Sequence, residues 1–259
     1  MLHIEPVRAF KDNYLWTFHE WGTRQAVVVD PGDAAPVQAW LQQQDLQLAA
    51  ILITHHHNDH IGGVSELQKQ WQVPVYGPKS EKIPQVTNPV QEGDTVEVVG
   101  VHFRVLAVPG HTLEHIAYYA DEVDGSPLVF CGDTLFAAGC GRMFEGTPPM
   151  MYASLQKLAT LPPTTRVFCT HEYTLSNLNF AKAVLKDAAT VTTRVANEQH
   201  KREQDQPTVP STIALELATN PFLRCEDPVV LASLAAQQGF MQREPAEVFG
   251  ALRRWKDNF

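Results

Sequence analysis

The chain has 259 residues, and at about 150 residues per domain this length accommodates one or two domains with a sizeable core. Hydrophobic residues make up 44% and charged residues 19%, a balance typical of a soluble globular protein. The formal net charge of -9 disfavours nonspecific nucleic-acid binding, which normally requires a basic surface, and leaves only a local basic patch as a route to such a partner.

The sequence contains no apolar run of the roughly 18 residues that a membrane span requires. Residues 1–6 lack the basic start and apolar stretch of a signal peptide. Cys131, Cys140, Cys169 and Cys225 form no C-x-x-C pair and are too few for a disulfide framework. We therefore expect a cytoplasmic protein with neither a membrane nor a nucleic-acid partner.

Up to about residue 170 the pattern predicts an α/β region of short strands with a few helices. The predicted strands are 13–19, 25–30, 48–53, 73–76, 95–99, 102–108, 116–120, 128–131 and 166–169. The predicted helices are 34–44, 62–71 and 149–161. Strand 48–53 is apolar throughout, as expected of a strand that is buried on both faces.

After residue 172 the pattern becomes helical, with a polar loop at 205–210. Helices are predicted at 175–186, 191–204, 211–219, 228–238 and 245–255. Asp227 followed by Pro228 is typical of an N-cap with proline at the first helical position. The change in pattern predicts two domains, an α/β domain over 1–173 and a helical one over 174–259.

The most informative segment is residues 54–60, in which His55, His56, His57, Asp59 and His60 directly follow the buried strand 48–53. Placing so many ionisable groups at the edge of a core is costly unless something binds them. In extended backbone His55 and His57 point to the same side. Imidazole and carboxylate ligands without thiolate suit Zn²⁺, Fe or Mn. The alternative, a solvated polar loop, is disfavoured because the cluster is internal and follows a buried strand.

Another His or Asp follows each of three later apolar strands, at positions 111, 133 and 171. One such residue is most often a cap or a satisfied polar group. Three of them, at the strand ends where α/β proteins gather their ligands, favour a functional role for His111, Asp133 and His171 over a capping role.

The motif T-H-x-H-x-D-H at residues 54–60 resembles the signature of the metallo-β-lactamase superfamily. Over essentially the whole chain the sequence is similar to the hydroxyacylglutathione hydrolase (glyoxalase II) family within it. The motifs that carry this resemblance lie at 12–14, 30–33, 109–112, 131–136, 139–142, 170–173 and 253–257.

The resemblance implies an αββα sandwich followed by a small all-helical domain that binds glutathione. It implies two divalent metal ions, with zinc preferred and iron or manganese as alternatives. One ion would bind His55, His57 and His111 and the second Asp59, His60 and His171, while Asp133 would bridge them. Asp59 and Asp133 would be the catalytic carboxylates, acting with a metal-bound bridging hydroxide as the nucleophile. His115 is expected to be structural, because His111 already fills the ligand position.

This chemistry suits a thioester. Paired divalent ions supply hydroxide near neutral pH and stabilise the charge of the tetrahedral intermediate. A thiolate leaving group, whose conjugate acid has a pKa of about 8.5, needs little protonation. Metal chemistry alone does not distinguish thioesters from lactams or lactones.

Substrate choice therefore depends on the residues around the metals. By resemblance, the substrate-binding set is Arg142, Met143, Phe144, His171, Glu172, Tyr173, Arg253 and Lys256. Cations in this set would pair with the two carboxylates of glutathione. The alternative for the basic tail is that it only complements the negative end of the last helix. Phe144 departs from the tyrosine of eukaryotic family members and cannot donate a hydroxyl hydrogen bond.

The resemblance implies hydrolysis of S-(2-hydroxyacyl)glutathione, chiefly S-D-lactoylglutathione, to glutathione and D-lactate, the second step of methylglyoxal detoxification. We expect a monomer.

The main alternative function is that of a mononuclear-iron glutathione persulfide dioxygenase, which the helical region and the basic tail disfavour. An RNA-processing nuclease is disfavoured by the acidic balance. An oxygen-reducing diiron protein would carry Glu in place of His57. A non-catalytic binding module leaves the intact ligand positions unexplained.

Overall fold

The computed structural model describes residues 1–186 and 188–259. The chain divides into two compact units, which are described separately below. Unit 1 comprises Met1–Ala107 and Glu114–Gly132, and unit 2 comprises Val108–Leu113 and Asp133–Phe259. The domain boundary near residue 173 rests on the sequence pattern and stays a prediction.

Unit 1 contains two sheets and three helical segments within its described residues. The strands are β1 (Leu2–Ala9), β2 (Asn13–Glu20), β3 (Gln25–Val29), β4 (Gln47–Leu52), β5 (Val75–Pro78), β6 (Asn88–Val90), β7 (Thr95–Val98), β8 (Val101–Ala107), β9 (Ile116–Val123) and β10 (Ser126–Gly132). The helices are α1 (Ala34–Gln44), α2 (Asn58–Ile61) and α3 (Val64–Trp71).

Strands β1 to β6 form one sheet in chain order, antiparallel from β1 to β3 and parallel from β3 to β6. Strands β7 to β10 are antiparallel neighbours in the other sheet. The sheets meet face to face: the Phe18 ring of β2 stacks on Phe130 of β10 at 5.5 Å and lies 5.7 Å from Phe103 of β8. Helices α1 and α3 cover the other face of the first sheet, where Val37, Leu41, Leu67 and Ile51 share one core.

The parallel strands β3 and β4 position the polar residues that follow them. Because both strands run in the same direction, their carboxyl ends lie at the same edge of the sheet. Asp30 follows β3, and residues 53–57 follow β4 and lead into α2. The histidine-rich segment thus starts at the edge where ligand sites of parallel sheets form.

Unit 2 is mainly helical. Its strands are β11 (Leu135–Phe136), β12 (Gly139–Cys140), β13 (Arg166–Cys169) and β14 (Ser211–Thr212). Its helices are α4 (Pro148–Ala159), α5 (Thr174–Val184), α6 (Ala189–Glu203), α7 (Ile213–Thr219), α8 (Pro228–Gln238) and α9 (Pro245–Asp257), with a 3₁₀ turn at Pro221–Leu223. Phe222 anchors the core of this unit, since its ring lies 5.8 Å from Phe180 and 5.7 Å from Phe249. Within the described residues, no helix combines the length and apolar character needed to cross a membrane.

The predicted strand 73–76 lies at Val75–Pro78, and the predicted helices 149–161 and 175–186 end at Ala159 and Val184. Two predicted helix starts also need correction. The predicted helix 62–71 starts at Val64, because Gly62 ends the preceding helix α2 and Gly63 is the N-cap of α3. Both glycines are closely packed: a Cβ at Gly63 would lie 2.4 Å from the Ala34 nitrogen. The predicted helix 211–219 starts at Ile213, because residues 211–212 pair with β13. Strands β1, β6, β11 and β12 were not predicted.

Candidate metal centre

Unit 1 gathers His55, His57, Asp59 and His60 into one group, here called the loop cluster. His55 and His60 are fully buried. The Nε2 atom of His55 lies 3.1 Å from Nδ1 of His57, and Nε2 of His60 lies 3.6 Å from a carboxylate oxygen of Asp59. Asp59 and His60 both lie in the short helix α2, which begins directly after His57.

Asp30 holds the loop cluster in place through hydrogen bonds to Thr54 and His60. Its carboxylate accepts hydrogen bonds from the Thr54 amide at 2.7 Å, from the Thr54 hydroxyl at 2.7 Å and from Nδ1 of His60 at 3.0 Å. With Nδ1 as the donor, Nε2 of His60 is the nitrogen available to bind a metal ion. Asp30 had no assigned role in the sequence interpretation, although its position directly after a buried strand was a usable signal.

Other side chains of unit 1 orient the same loop. The Asn13 amide donates to the Asp59 carboxylate at 3.1 Å. Nδ1 of His56 lies 2.5 Å from the Glu114 carboxylate, which also accepts from the Ser80 hydroxyl at 3.3 Å. The His115 ring stacks on His55 with centroids 4.6 Å apart, consistent with the structural role expected of it.

Unit 2 brings together His111, Asp133 and His171, here called the strand-end cluster. One carboxylate oxygen of Asp133 lies 3.4 Å from Nε2 of His111 and 3.3 Å from Nε2 of His171. All three side chains are buried. Nδ1 of His111 donates to the Arg142 carbonyl at 2.7 Å, which directs its Nε2 toward Asp133. The cluster depends on Gly141, where a Cβ would lie 1.9 Å from the Asp133 carbonyl oxygen.

The donor atoms of both clusters suit metal ions. Ligands of a tetrahedral zinc ion, at bond lengths of about 2.0–2.2 Å, are separated from one another by roughly 3.3–3.6 Å. The nitrogen-to-oxygen distances of 3.3, 3.4 and 3.6 Å fall in this range and exceed those of a good hydrogen bond. Within unit 1, ligand atoms of Asp30, His55 and His60 also lie within 4.8 Å of one another. The His/Asp clusters can therefore bind metal.

A cavity of about 490 Å³ opens beside the strand-end cluster in unit 2. It is lined by His111, Asp133, Phe136, Cys140, Arg142, Phe144, Tyr173, Ser176, Asn177, Arg253 and Lys256. Its size lies in the range of small-molecule binding sites, about 300–1,000 Å³. Arg142, Phe144, Tyr173, Arg253 and Lys256 from the predicted substrate-binding set thus share one cavity. Ser176 and Asn177 line it as well and were not predicted.

The cavity wall is positively charged on one side. Arg142 and Arg253 both face the Asp257 carboxylate, at 3.8 and 2.9 Å. The Lys256 ammonium donates to the Ser176 hydroxyl at 3.3 Å. Burial, followed by the nearby charges of Arg253 and Arg142, lowers the pKa of Lys256. Three cationic side chains, Arg142, Arg253 and Lys256, thus line this wall, which favours an anionic ligand.

Arg253 differs from the other two cations because it is buried, with 4% of its surface exposed. Its Nη1 donates to the Cys140 carbonyl at 3.0 Å, and its guanidinium lies 5.1 Å from the centre of the Phe222 ring. Burial raises the pKa of the Cys140 thiol to about 11, so this cysteine is protonated at neutral pH and unsuited to act as a nucleophile.

The remaining predicted substrate residues lie in different environments. The His171 ring stacks on Tyr173 at 4.7 Å, next to the cavity wall. Glu172 accepts hydrogen bonds from the amide and the hydroxyl of Thr208. Met143 is half-buried. Neither Glu172 nor Met143 is among the residues that line the cavity.

Two protein families match consecutive parts of the chain. The family described as the metallo-beta-lactamase superfamily matches residues 15–171, and the hydroxyacylglutathione hydrolase C-terminus matches residues 172–259. Proteins named hydroxyacylglutathione hydrolase are similar over the full chain. The one from Nitrosomonas europaea is 50% identical over 100% of this chain and 97% of its own length, and one from Pseudomonas aeruginosa strain PAO1 is 52% identical over 100% of both.

Solved structures have the same fold. ETHE1 from Myxococcus xanthus is 25% identical with a TM-score of 0.65, covering 99% of this chain and 98% of its own. TTHA1623, solved in a di-iron-bound form, is 28% identical with a TM-score of 0.60, covering 85% of this chain and 100% of its own. The expected fold class, an α/β metallo-β-lactamase fold followed by a helical C-terminal domain, is confirmed. The chain belongs to the metallo-β-lactamase superfamily and, within it, to the hydroxyacylglutathione hydrolase family.

Proposed function

We propose that this protein is a binuclear-metal hydrolase of S-(2-hydroxyacyl)glutathione, chiefly S-D-lactoylglutathione, which it cleaves to glutathione and D-lactate. The observation that carries the proposal is the cavity of unit 2, which combines His111 and Asp133 on one side with cationic side chains on another. A substrate with a reactive thioester and two carboxylates matches this combination. The names of the full-length relatives support the same substrate class.

The proposed ligands are the members of both clusters, namely His55, His57, Asp59, His60, His111, Asp133 and His171. When bound, two divalent cations would supply activated water and polarise the thioester carbonyl. Zinc suits this set of nitrogen and oxygen donors, and iron and manganese are alternatives. Asp133 is the proposed bridging ligand, because one of its oxygens lies at similar distances from two imidazoles.

The chain's own residues orient these ligands. Asp30 accepts from His60 and fixes which ring nitrogen of His60 is a donor. Asn13 holds the Asp59 carboxylate, and the Arg142 carbonyl holds the His111 ring. Such contacts behind the ligands keep the donor atoms aimed before a metal ion binds, which lowers the entropic cost of forming the site.

Arg142 and Lys256 are the proposed partners of the glutathione carboxylates. Arg142 is mostly exposed and can adjust its guanidinium to an incoming carboxylate. Lys256 supplies a compact charge that the Ser176 hydroxyl holds in place. Phe144, whose exposed ring meets His111 edge-on at 5.3 Å, presents an apolar surface to the part of the substrate near the thioester.

We further propose that the protein acts as a monomer in the cytoplasm. The residues proposed to bind metal and substrate all come from one chain. Its four cysteines are buried free thiols, consistent with a reducing compartment.

The function is tested with purified protein and S-D-lactoylglutathione, by following the loss of thioester absorbance together with elemental analysis. We expect thioester hydrolysis and two divalent ions per chain. Oxygen uptake with glutathione persulfide is the control reaction. Oxygen uptake without thioester hydrolysis would assign the protein to the dioxygenase class instead.

A further inference from the structure

A tight hairpin, Leu135–Cys140, forms part of the cavity wall in unit 2. Its strands β11 and β12 pair Leu135 with Cys140 and Phe136 with Gly139. Ala138 at the turn has a φ of 56°, a left-handed conformation that costs a non-glycine residue roughly 1 kcal/mol. Two paired residues per strand cannot stabilise such a turn alone, so the hairpin requires support from outside.

Side chains from the helical region provide that support at consecutive backbone groups of the hairpin. Asn177 donates to the Ala137 carbonyl (3.1 Å), Glu216 accepts from the Ala138 amide (2.7 Å), Asn220 donates to the Gly139 carbonyl (2.9 Å), and Arg253 donates to the Cys140 carbonyl (3.0 Å). All four side chains are buried. Each contact joins one backbone group of the hairpin to a buried side chain.

Glu216 is the centre of this support. Its side chain is fully buried and pairs with Arg194 at 2.7 Å, whose side chain is 2% exposed. The same carboxylate accepts from the Ser211 hydroxyl at 2.5 Å and from the Asn220 amide at 3.0 Å. A buried charge held by this many partners has little freedom to move, so the Ala138 amide is bound to a fixed acceptor.

The hairpin in turn positions residues that line the cavity. Phe136 lies on β11, and its ring meets Tyr173 edge-on at 5.4 Å. Cys140 lies on β12 and also lines the cavity. Displacement of the hairpin would therefore reshape the wall that faces a bound substrate.

We propose that Asn220 and Glu216 are positioning residues that hold the Leu135–Cys140 hairpin as a fixed wall of the cavity and thereby set the affinity for substrate. The identity of that substrate rests on the proposed function, whereas the positioning of the hairpin does not. Neither residue contacts the cavity itself, and both act through the hairpin backbone.

The test compares Asn220→Ala with the unmodified protein. Hydrogen exchange of the Ala138 amide is expected to become at least about tenfold faster, while amides of unit 1 keep their rates. With S-D-lactoylglutathione, KM is expected to rise at least about threefold and kcat to change less than about twofold, because binding rather than chemistry is disturbed.

Ser233→Ala is the matched control. Ser233 is buried in α8, and its hydroxyl donates to the Val184 carbonyl at 2.6 Å, so the variant removes a buried hydrogen bond that does not involve the hairpin. We expect this variant to lower thermal stability while KM and the exchange of Ala138 stay unchanged.

The proposal is overturned if Asn220→Ala accelerates exchange no more at Ala138 than elsewhere, or if it leaves KM unchanged in an active enzyme. If Asn220→Ala does not fold, hydrogen exchange in the unmodified protein tests the proposal. Exchange of its Ala138 amide that is rapid relative to the amides of α5 contradicts a fixed hairpin, and slow exchange supports one. Absence of thioester hydrolysis in the unmodified protein contradicts the proposed function alone, because the exchange measurement is independent of activity.

Discussion

At the scale of single residues, three aspartates show how surroundings assign different tasks to one side chain. Asp30 is buried and takes up hydrogen bonds from Thr54 and His60. Asp133 is buried between two imidazoles, whose Nε2 atoms lie 3.4 and 3.3 Å from one of its oxygens. Asp257 is partly exposed and pairs with Arg253. The first is suited to orienting a ligand, the second to binding a metal ion and the third to balancing charge at the cavity.

Asp133→Ala is expected to lower metal content and to abolish turnover together, because Asp133 is the only proposed ligand shared by both ions. Elemental analysis and the thioester assay on the same preparation check this outcome. Asp121→Ala, which removes an exposed carboxylate of unit 1, is the control and should change neither. Full metal occupancy with normal activity in Asp133→Ala would refute the assignment.

Asp30→Asn is expected to weaken zinc binding by about 10- to 100-fold, because an amide cannot replace the charge that accepts from Nδ1 of His60. Competition with a chelator measures the affinity. Asp33→Asn is a control from the same short motif: Asp33 caps α1 by accepting from the Ala35 amide, and asparagine caps equally well. Equal affinities for the two variants would contradict the role of Asp30.

Lys256→Ala is expected to raise KM at least about fivefold with a smaller change in kcat, because a charge-assisted hydrogen bond to substrate is lost. Steady-state kinetics measure both constants. The control is Lys182→Ala, which removes an exposed lysine of α5. Arg253→Ala is less informative, since its guanidinium also supports the Cys140 carbonyl. A fall in kcat at constant KM would give Lys256 a different role.

The lowered pKa of Lys256 adds a pH dependence. Above this pKa the side chain is neutral, so KM of the unmodified protein should rise with pH below the ordinary lysine value of 10.5. Lys256→Arg keeps its charge and should delay the rise. Identical pH profiles for the two proteins would exclude Lys256 as the titrating cation.

At the scale of elements, helix ends were predicted well where a single residue determines them. Helix α8 begins at Pro228 after the Asp227 cap and ends at Gln238 before Gly239, as the sequence pattern indicates. Strand β13 likewise matches its prediction. The hairpin β11–β12 was not predicted, because residues that support it are distant along the chain. Glu216 and Asn220 lie 78 or more residues from the hairpin residues that they contact.

Asp227→Ala is expected to destabilise the protein by about 1 kcal/mol at pH 7, because the Val229 amide loses its cap. Although burial acts to raise it, the pKa of Asp227 is lowered overall by the Val229 amide and the Arg224 guanidinium. Its contribution is therefore present above the ordinary value of 3.8 and disappears as pH falls through the lowered pKa. Urea unfolding at neutral and acidic pH measures both effects.

Asp227→Asn is the matched variant, since asparagine also caps helices, and it should cost less than the alanine variant. Equal losses for the two variants at pH 7 would show that the cap does not contribute.

At the scale of the whole molecule, metal binding is expected to couple to stability. Removal of metal by a chelator should lower the melting temperature, and added zinc should restore it, since a ligand that binds only the folded state stabilises it by mass action. Calorimetry with and without chelator checks this. Asp133→Ala should respond less. A melting temperature indifferent to chelator would contradict a metal site built from buried side chains.

The sequence by itself determined the family, the strand-end positions of the proposed ligands and the donor chemistry. These can be predicted because they depend on residues that are neighbours in the sequence. Apolar strands are followed directly by His or Asp, and the motif at Thr54 to His60 is continuous. The tertiary structure decided the environments of individual side chains. In the folded chain Arg253 is buried and donates to a backbone carbonyl, and Glu172 accepts from Thr208. Asp30 and Asn13 hold proposed metal ligands, and Glu216 and Asn220 hold the backbone of the hairpin. The reason is physical: burial and hydrogen-bond geometry depend on partners distant along the chain, which local sequence pattern does not specify.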